Sequence, residues 1–270
     1  MKNSTAPARS AEILFTVWGL DGDRQAPAQA SQLQRFSPMR VLVDTTGALA
    51  LLCVVGATSG CGHGRMLPSP SATLVPGTQE AAVAADAGVE VSANGADWRG
   101  RPENLEERLT PVRVRIVNHS GRPIELLYER FTLTGRTGRR YRALPPVPID
   151  HQRPIDAVGT VRPIFATSGF YVAQRYRDIY PSLTPWRRPL SRDASYSETQ
   201  YQRWPENLPT REMQRLSLPE GVLADGGEIS GFLFFEDATQ HEARLMFQAA
   251  LDDGEQGGTV AAVEIPFRVQ

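Results

Sequence analysis

The fold is decided by a short stretch of the chain, VRVRIV at residues 112–117, followed by the turn-forming residues NHSG at 118–121. Branched apolar residues alternate there with arginine, so one face of an extended segment is apolar and the other is charged. Val and Ile favour strands, whereas Asn, Ser and Gly favour turns. The stretch therefore predicts a half-buried β-strand, and apolar residues at 124, 126 and 128 extend the prediction to a hairpin over residues 111–128.

The same period of two recurs along the second half of the chain. It is found at residues 89–91, 131–133 with a partner at 141–144, 245–249 and 263–269. Residues 228–235 carry apolar side chains on both faces of an extended segment, which predicts a central buried strand. Seven or eight short strands with little helical periodicity predict an all-β fold over residues 89–270, namely an immunoglobulin-like antiparallel β-sandwich. Trp98 is predicted to be a core aromatic.

The strand pattern stops in a long insertion at about residues 146–210, which is rich in aromatic residues and arginine. Ser168 is predicted to cap a short helix over residues 169–179 that ends before Pro181, so the insertion is expected to be partly helical. Two roles stay open, because the aromatics can anchor the insertion to the sandwich or form a binding platform. The predicted binding surface comprises Tyr171, Tyr176, Tyr180, Trp186, Arg187, Arg188, Tyr201 and Trp204.

The N-terminal part has the organisation of an export signal. An apolar run of about 11 residues at 47–57 is too short to span a bilayer, which needs roughly 20, but it has the length expected of a signal peptide. We predict a signal peptide at residues 39–60 and a flexible tether at residues 61–88, which are rich in Pro, Ser, Ala and Gly. Residues 1–38 are interpreted as a mis-annotated or disordered extension. For the segment at 39–61, the alternatives to lipid attachment are a plain signal peptide that is cleaved nearby and a buried apolar strand.

Small residues at 58–60 directly precede Cys61, and this short stretch resembles the lipobox of bacterial lipoproteins. Residues 89–146 and 213–269, with LTPV at 109–112, ALPP at 143–146 and GFLFF at 231–235, are similar to uncharacterised bacterial lipoproteins with a single immunoglobulin-like domain. The resemblance implies that the Cys61 thiol carries a lipid and that the protein is anchored in the cell envelope. Gly62 in place of Asp favours the outer membrane if the cell is Gram-negative. The resemblance supplies no catalytic residue.

Charge and motif content limit the possible functions. The net charge is -1, which argues against a general nucleic-acid binder. The four histidines, at 63, 119, 151 and 241, have no metal-ligand spacing, and we expect no metal and no cofactor. We predict a non-catalytic, lipid-anchored envelope protein that binds an envelope protein or glycan. The alternative is an uncharacterised envelope hydrolase that uses carboxylates or His151 in the insertion.

Overall fold

The computed structural model describes residues 64–147, 167–191 and 193–270. Strands dominate these ranges: Met66–Pro68 (β1), Ala81–Asp86 (β2), Val89–Asn94 (β3), Leu109–Asn118 (β4), Ile124–Leu126 (β5), Phe131–Gly135 (β6), Arg140–Arg142 (β7), Thr167–Val172 (β8), Gly221–Glu236 (β9), Arg244–Asp253 (β10) and Thr259–Val269 (β11). The helices are Ala194–Tyr201 (α1), Arg211–Leu216 (α2) and the short 3₁₀ helices Leu105–Glu107, Tyr128–Arg130 and Gln174–Tyr176. The all-β prediction is confirmed.

The strands pair antiparallel in one sheet, in the order β1-β11-β10-β5-β9-β4-β3-β2, with β6, β7 and β8 beside this path. The described residues contain eleven strands, more than the seven or eight predicted. In β4, buried Val112, Val114 and Ile116 alternate with exposed Arg113 and Arg115, as their spacing predicts. This alternation sets the register in which β4 pairs with its neighbours β3 and β9.

The predicted hairpin over residues 111–128 is wrong. Strands β4 and β5 do not pair with each other. Both pair with β9: β4 lies along the C-terminal half of β9, and β5 lies beside the first three residues of β9. Buried Asn118 donates to the carbonyls of Arg122 and Leu223, and the Asp225 carboxylate accepts from the Gly121 N–H. The turn residues therefore form an irregular segment along β9, and the chain does not reverse there.

The predicted tether is wrong for the part that the structure describes. Strand β1 pairs with β11 and strand β2 pairs with β3. Met66 and Ala82 are fully buried in the main core. Two strands that gain backbone hydrogen bonds and core contacts need few large side chains, which explains why composition alone misjudged this segment.

The predicted helix over residues 169–179 is also wrong, because residues 167–172 form strand β8 against β9. The pairing slips between Ser168 and Phe170, and Gly169 accommodates the irregularity with a φ of +64°. Phe170 and Val172 are buried in the main core, which favours the strand over the helix. The insertion does contain α1, and the helical part is small.

Strand β9 is buried on both faces, as predicted, and it separates two apolar clusters. Ile229, Leu233 and Phe235 belong to the main core. Phe232 and Phe234 point to the other side, into a second cluster that also contains Trp98, Leu105, Leu109, Leu144, Trp204 and Met213. The insertion and α2 therefore cover the outer face of β9, and the prediction that Trp98 is a core aromatic is confirmed.

Candidate functional site

The structure divides the predicted binding surface into a buried part and an accessible part. Tyr176 and Tyr180 are each 1% exposed in the main core, and Trp204 is 9% exposed in the second cluster. Tyr201 is half-buried and packs against the second cluster. These four aromatics anchor the insertion, so their inclusion in a ligand-binding surface is not supported by their packing.

The accessible part consists of two half-buried aromatics and two exposed arginines. Tyr171 and Trp186 contact each other, with ring centroids 5.5 Å apart and planes inclined at 56°. We call them the aromatic pair. Arg187 and Arg188 directly follow Trp186 and are exposed. Four of the eight predicted residues are therefore at least partly accessible.

Local backbone bonding explains how residues 15 positions apart meet. The Val172 N–H donates to the Thr184 carbonyl at 2.9 Å, and the Trp186 N–H donates to the Val172 carbonyl at 2.7 Å. The segment after Thr184 is thus held beside the end of β8. Proline at 185 and 189 favours an extended backbone there, since its ring fixes φ. Trp186 is consequently set against Tyr171.

A groove of about 340 Å³ opens beside this surface. Its described lining residues are Ala173, Gln174, Arg175, Arg187, Arg188, Pro189 and Leu190. We call it the arginine groove. Three of these residues are arginines, the others are apolar except for one amide, and no carboxylate is among them. The arrangement suits an anionic group on a ligand that is partly apolar.

Arg175 is held in place by a buried carboxylate. Its Nη2 donates to Glu220 Oε2 at 3.0 Å, to the Tyr176 hydroxyl at 2.7 Å and to Ser197 Oγ at 2.8 Å. Glu220 also accepts from the Tyr128 N–H at 3.0 Å and from the Tyr176 hydroxyl at 3.1 Å. The guanidinium lies 4.6 Å from the Tyr176 ring centroid. Arg175, which lines the arginine groove, is therefore held in place by the buried residues around it.

Burial controls the ionisation of this network. It raises the pKa of Glu220 above its usual range, against the opposing effect of the Arg175 charge. It also raises the pKa of Tyr176 well above the usual value, and that of Tyr180 to about 12. Both hydroxyl groups are thus neutral at physiological pH, and that of Tyr176 donates to Glu220.

Sequence reasoning missed Glu220 and the role of Arg175. Arg175 belongs to the arginine-rich insertion, but nothing in its neighbourhood distinguishes it from Arg177, which is exposed and pairs with Asp178. Glu220 follows a Leu-Pro pair just before β9, where carboxylates are common turn residues. The only available signal is an acidic residue at the edge of a strongly apolar strand.

Several predicted features lie outside the described residues: the extension at 1–38, the signal peptide at 39–60, Cys61 and His151. The hydrolase alternative that uses His151 therefore stays a sequence prediction. His119 and His241 are exposed, as expected for surface residues. Within the ranges given above, no group of three or more His, Cys, Asp or Glu side chains is placed to hold a metal ion.

No helix in the described part of the chain has both the length and the apolar character needed to cross a bilayer. Comparisons with protein-family models, with curated proteins and with solved structures found no match.

Proposed function

We propose that this chain is a non-catalytic protein of the bacterial cell envelope, anchored by a lipid on Cys61, that binds another envelope component. The binding surface is the aromatic pair together with Arg187 and Arg188. The observation that carries this proposal is that these four residues are accessible in the described part of the insertion, while Tyr176, Tyr180 and Trp204 are buried. Aromatic residues and arginine are the types that dominate the energetics of binding interfaces.

The envelope address is supported by the short apolar run at 47–57 and by the small residues before Cys61. A triacylated terminus anchors stably because each buried CH₂ contributes about 0.8 kcal/mol and several chains act together. Cells given a labelled fatty acid are expected to label the wild-type protein and not a Cys61→Ser variant. An unlabelled wild-type protein in the cytosol would refute the envelope address.

We also propose that the strands are arranged as an immunoglobulin-like sandwich. Support comes from the antiparallel pairing of the strands and from the two apolar clusters on either side of β9. An experimental structure is the test. Two facing sheets would support the proposal, and a single sheet closed into a barrel would contradict it.

Binding is tested by affinity capture from detergent-solubilised membranes. The bait is the full chain, compared with a variant that combines Trp186→Ala, Arg187→Ala and Arg188→Ala. The matched control combines Arg136→Ala and Arg140→Ala, two exposed arginines of the β6–β7 hairpin. We expect the first variant to lose envelope components that the control retains. An unchanged set of components would refute the surface.

A further inference from the structure

The arginine groove has a positive charge that its own lining does not neutralise. In the described residues, Arg187 and Arg188 form no hydrogen bond, ion pair or ring contact. Some exposed arginines elsewhere are paired with a carboxylate, for example Arg113 with Asp97 at 2.7 Å and Arg115 with Glu228 at 2.7 Å. Two arginines that line one groove without a carboxylate partner leave positive charge there, which an anion can neutralise.

Arg175 adds a third cation that is organised in advance. Glu220, Tyr176 and Ser197 all bind its Nη2 atom, while its side chain keeps 14% of its surface exposed. A ligand that meets this guanidinium loses little additional side-chain entropy, because the protein has already ordered it. The Glu220 charge is shared with Arg175, so the net excess in the groove comes from Arg187 and Arg188.

The aromatic pair adjoins the arginine groove along the chain on both sides. Tyr171 lies two residues before Ala173, and Trp186 directly precedes Arg187. The Trp186 indole N–H is buried and has no hydrogen-bond partner. The residue as a whole is half-buried. Aromatic side chains close in sequence to a cationic groove suit a ring-shaped ligand that carries an acidic substituent.

We infer that the ligand of this surface is an acidic sugar unit of an envelope glycan, and this inference rests on the function proposed above. The sugar ring lies on the aromatic pair, and its carboxylate or phosphate lies in the arginine groove. Arg187 and Arg188 supply the charge, and Arg175 is a third arginine in the same lining. An envelope protein as the ligand is the competing outcome of the test.

The experiment titrates the purified full chain with four probes by calorimetry. Tetragalacturonate presents a carboxylate on a sugar and glucose 1-phosphate presents a phosphate on a sugar. Inorganic phosphate presents the charge alone, and maltotetraose presents neutral sugar alone. We expect at least one acidic sugar to bind more tightly than either single-feature probe, and its affinity to fall as salt is raised.

Variants assign the two halves of the site. The Arg187→Ala, Arg188→Ala double variant is expected to lower the affinity for the acidic sugar by at least about tenfold, the loss typical of a charged hydrogen bond. The Arg136→Ala, Arg140→Ala control has the same change in net charge and is expected to keep wild-type affinity. Trp186→Ala is expected to lower the affinity for the acidic sugar and to leave the weak binding of inorganic phosphate unchanged.

Each contrary result has a defined meaning. If inorganic phosphate binds as tightly as the acidic sugars, or maltotetraose binds equally well, the acidic-sugar inference is overturned. If no acidic probe binds while the membrane capture still depends on Trp186, Arg187 and Arg188, the inference fails and the proposed function survives. If neither experiment depends on these residues, both the acidic-sugar inference and the proposed function are refuted.

Discussion

Replacing Glu220 by alanine removes an acceptor that three donors share. The Tyr128 N–H, the Tyr176 hydroxyl and Arg175 Nη2 all lie 3.0–3.1 Å from its carboxylate oxygens. Glu220 is 3% exposed, and the Arg175 side chain is only 14% exposed. Removing one partner of a buried ion pair leaves the other charge without compensation, at a cost of about 3–5 kcal/mol.

Glu228→Ala is the matched control, because this carboxylate also binds an arginine through two short hydrogen bonds. The Arg115–Glu228 distances are 2.7 and 2.8 Å, shorter than the Arg175–Glu220 distance, but the two side chains are 45% and 40% exposed. Water compensates for such a pair, so the expected loss is about 0.2–1 kcal/mol. If bond length decided the energy, the order of the two losses would be reversed.

Urea unfolding of the full chain, followed by circular dichroism, measures both variants. We expect Glu220→Ala to lower the urea midpoint with an unchanged slope, which reports a change in stability alone. In a thermal scan the same loss corresponds to a fall of roughly 6–20 °C for a domain of this size. A loss under about 1 kcal/mol for Glu220→Ala, or an equal loss for Glu228→Ala, would refute the assignment of Glu220 as a buried anchor.

Three further predictions concern stability. Backbone N–H groups that donate to Asp253 lower its pKa, so the charged carboxylate stabilises the fold at pH values above the ordinary Asp pKa of about 3.9. This stabilisation is lost as the pH falls through the lowered pKa. Asp253→Asn should therefore be less stable than the wild type at pH 7, and the difference between the two free energies of unfolding should disappear in an acid titration. Trp204→Ala should cost about 3–5 kcal/mol in denaturant unfolding, and Trp186→Ala clearly less, because only Trp204 is deeply packed; equal losses would contradict this packing. Gly221→Ala places a methyl group on the Tyr171 carbonyl oxygen, so proteolysis should cut the β8 region faster in the variant, and unchanged protection would contradict the close approach.

Local pattern was sufficient for the strands whose two faces differ. In β4, β10 and β11 a buried face alternates with a more accessible one, and the side-chain period of two reports this directly. Strand β9 was recognisable for the opposite reason, since an apolar run without alternation indicates burial on both faces. These inferences need only neighbouring residues.

Pairing between strands could not be read from the same residues. The turn after β4 contains the residues that normally close a hairpin, yet Asn118 bonds the Leu223 carbonyl and Gly121 bonds Asp225, both about a hundred positions later. Strands β1 and β2 were missed because Pro, Ser and Ala dominate their surroundings. In both cases the deciding partner is remote in sequence, so local propensity gives no indication of it.

The sequence predicted which residue types form the candidate site, but it identified only some of the individual residues. Aromatic and arginine side chains mark the insertion as a region that packs or binds, but their exposure depends on what covers them. The Tyr196 hydroxyl donates to the Ala143 carbonyl at 2.7 Å, and the Trp204 indole N–H donates to the Pro145 carbonyl at 2.8 Å. These bonds fix the insertion to the segment that follows β7. Trp204 therefore has a structural role.

The two roles left open for the insertion are therefore compatible, because anchoring creates the accessible surface. Burial of Tyr176 places its hydroxyl where Arg175 and Glu220 meet, and this contact fixes the guanidinium of Arg175, a residue that lines the arginine groove. A flexible insertion would leave Arg175 free to move, and ligand binding would then carry the entropy cost of ordering it. In the proposed site, the buried aromatics would contribute to recognition indirectly, because they hold in place an arginine of the groove lining.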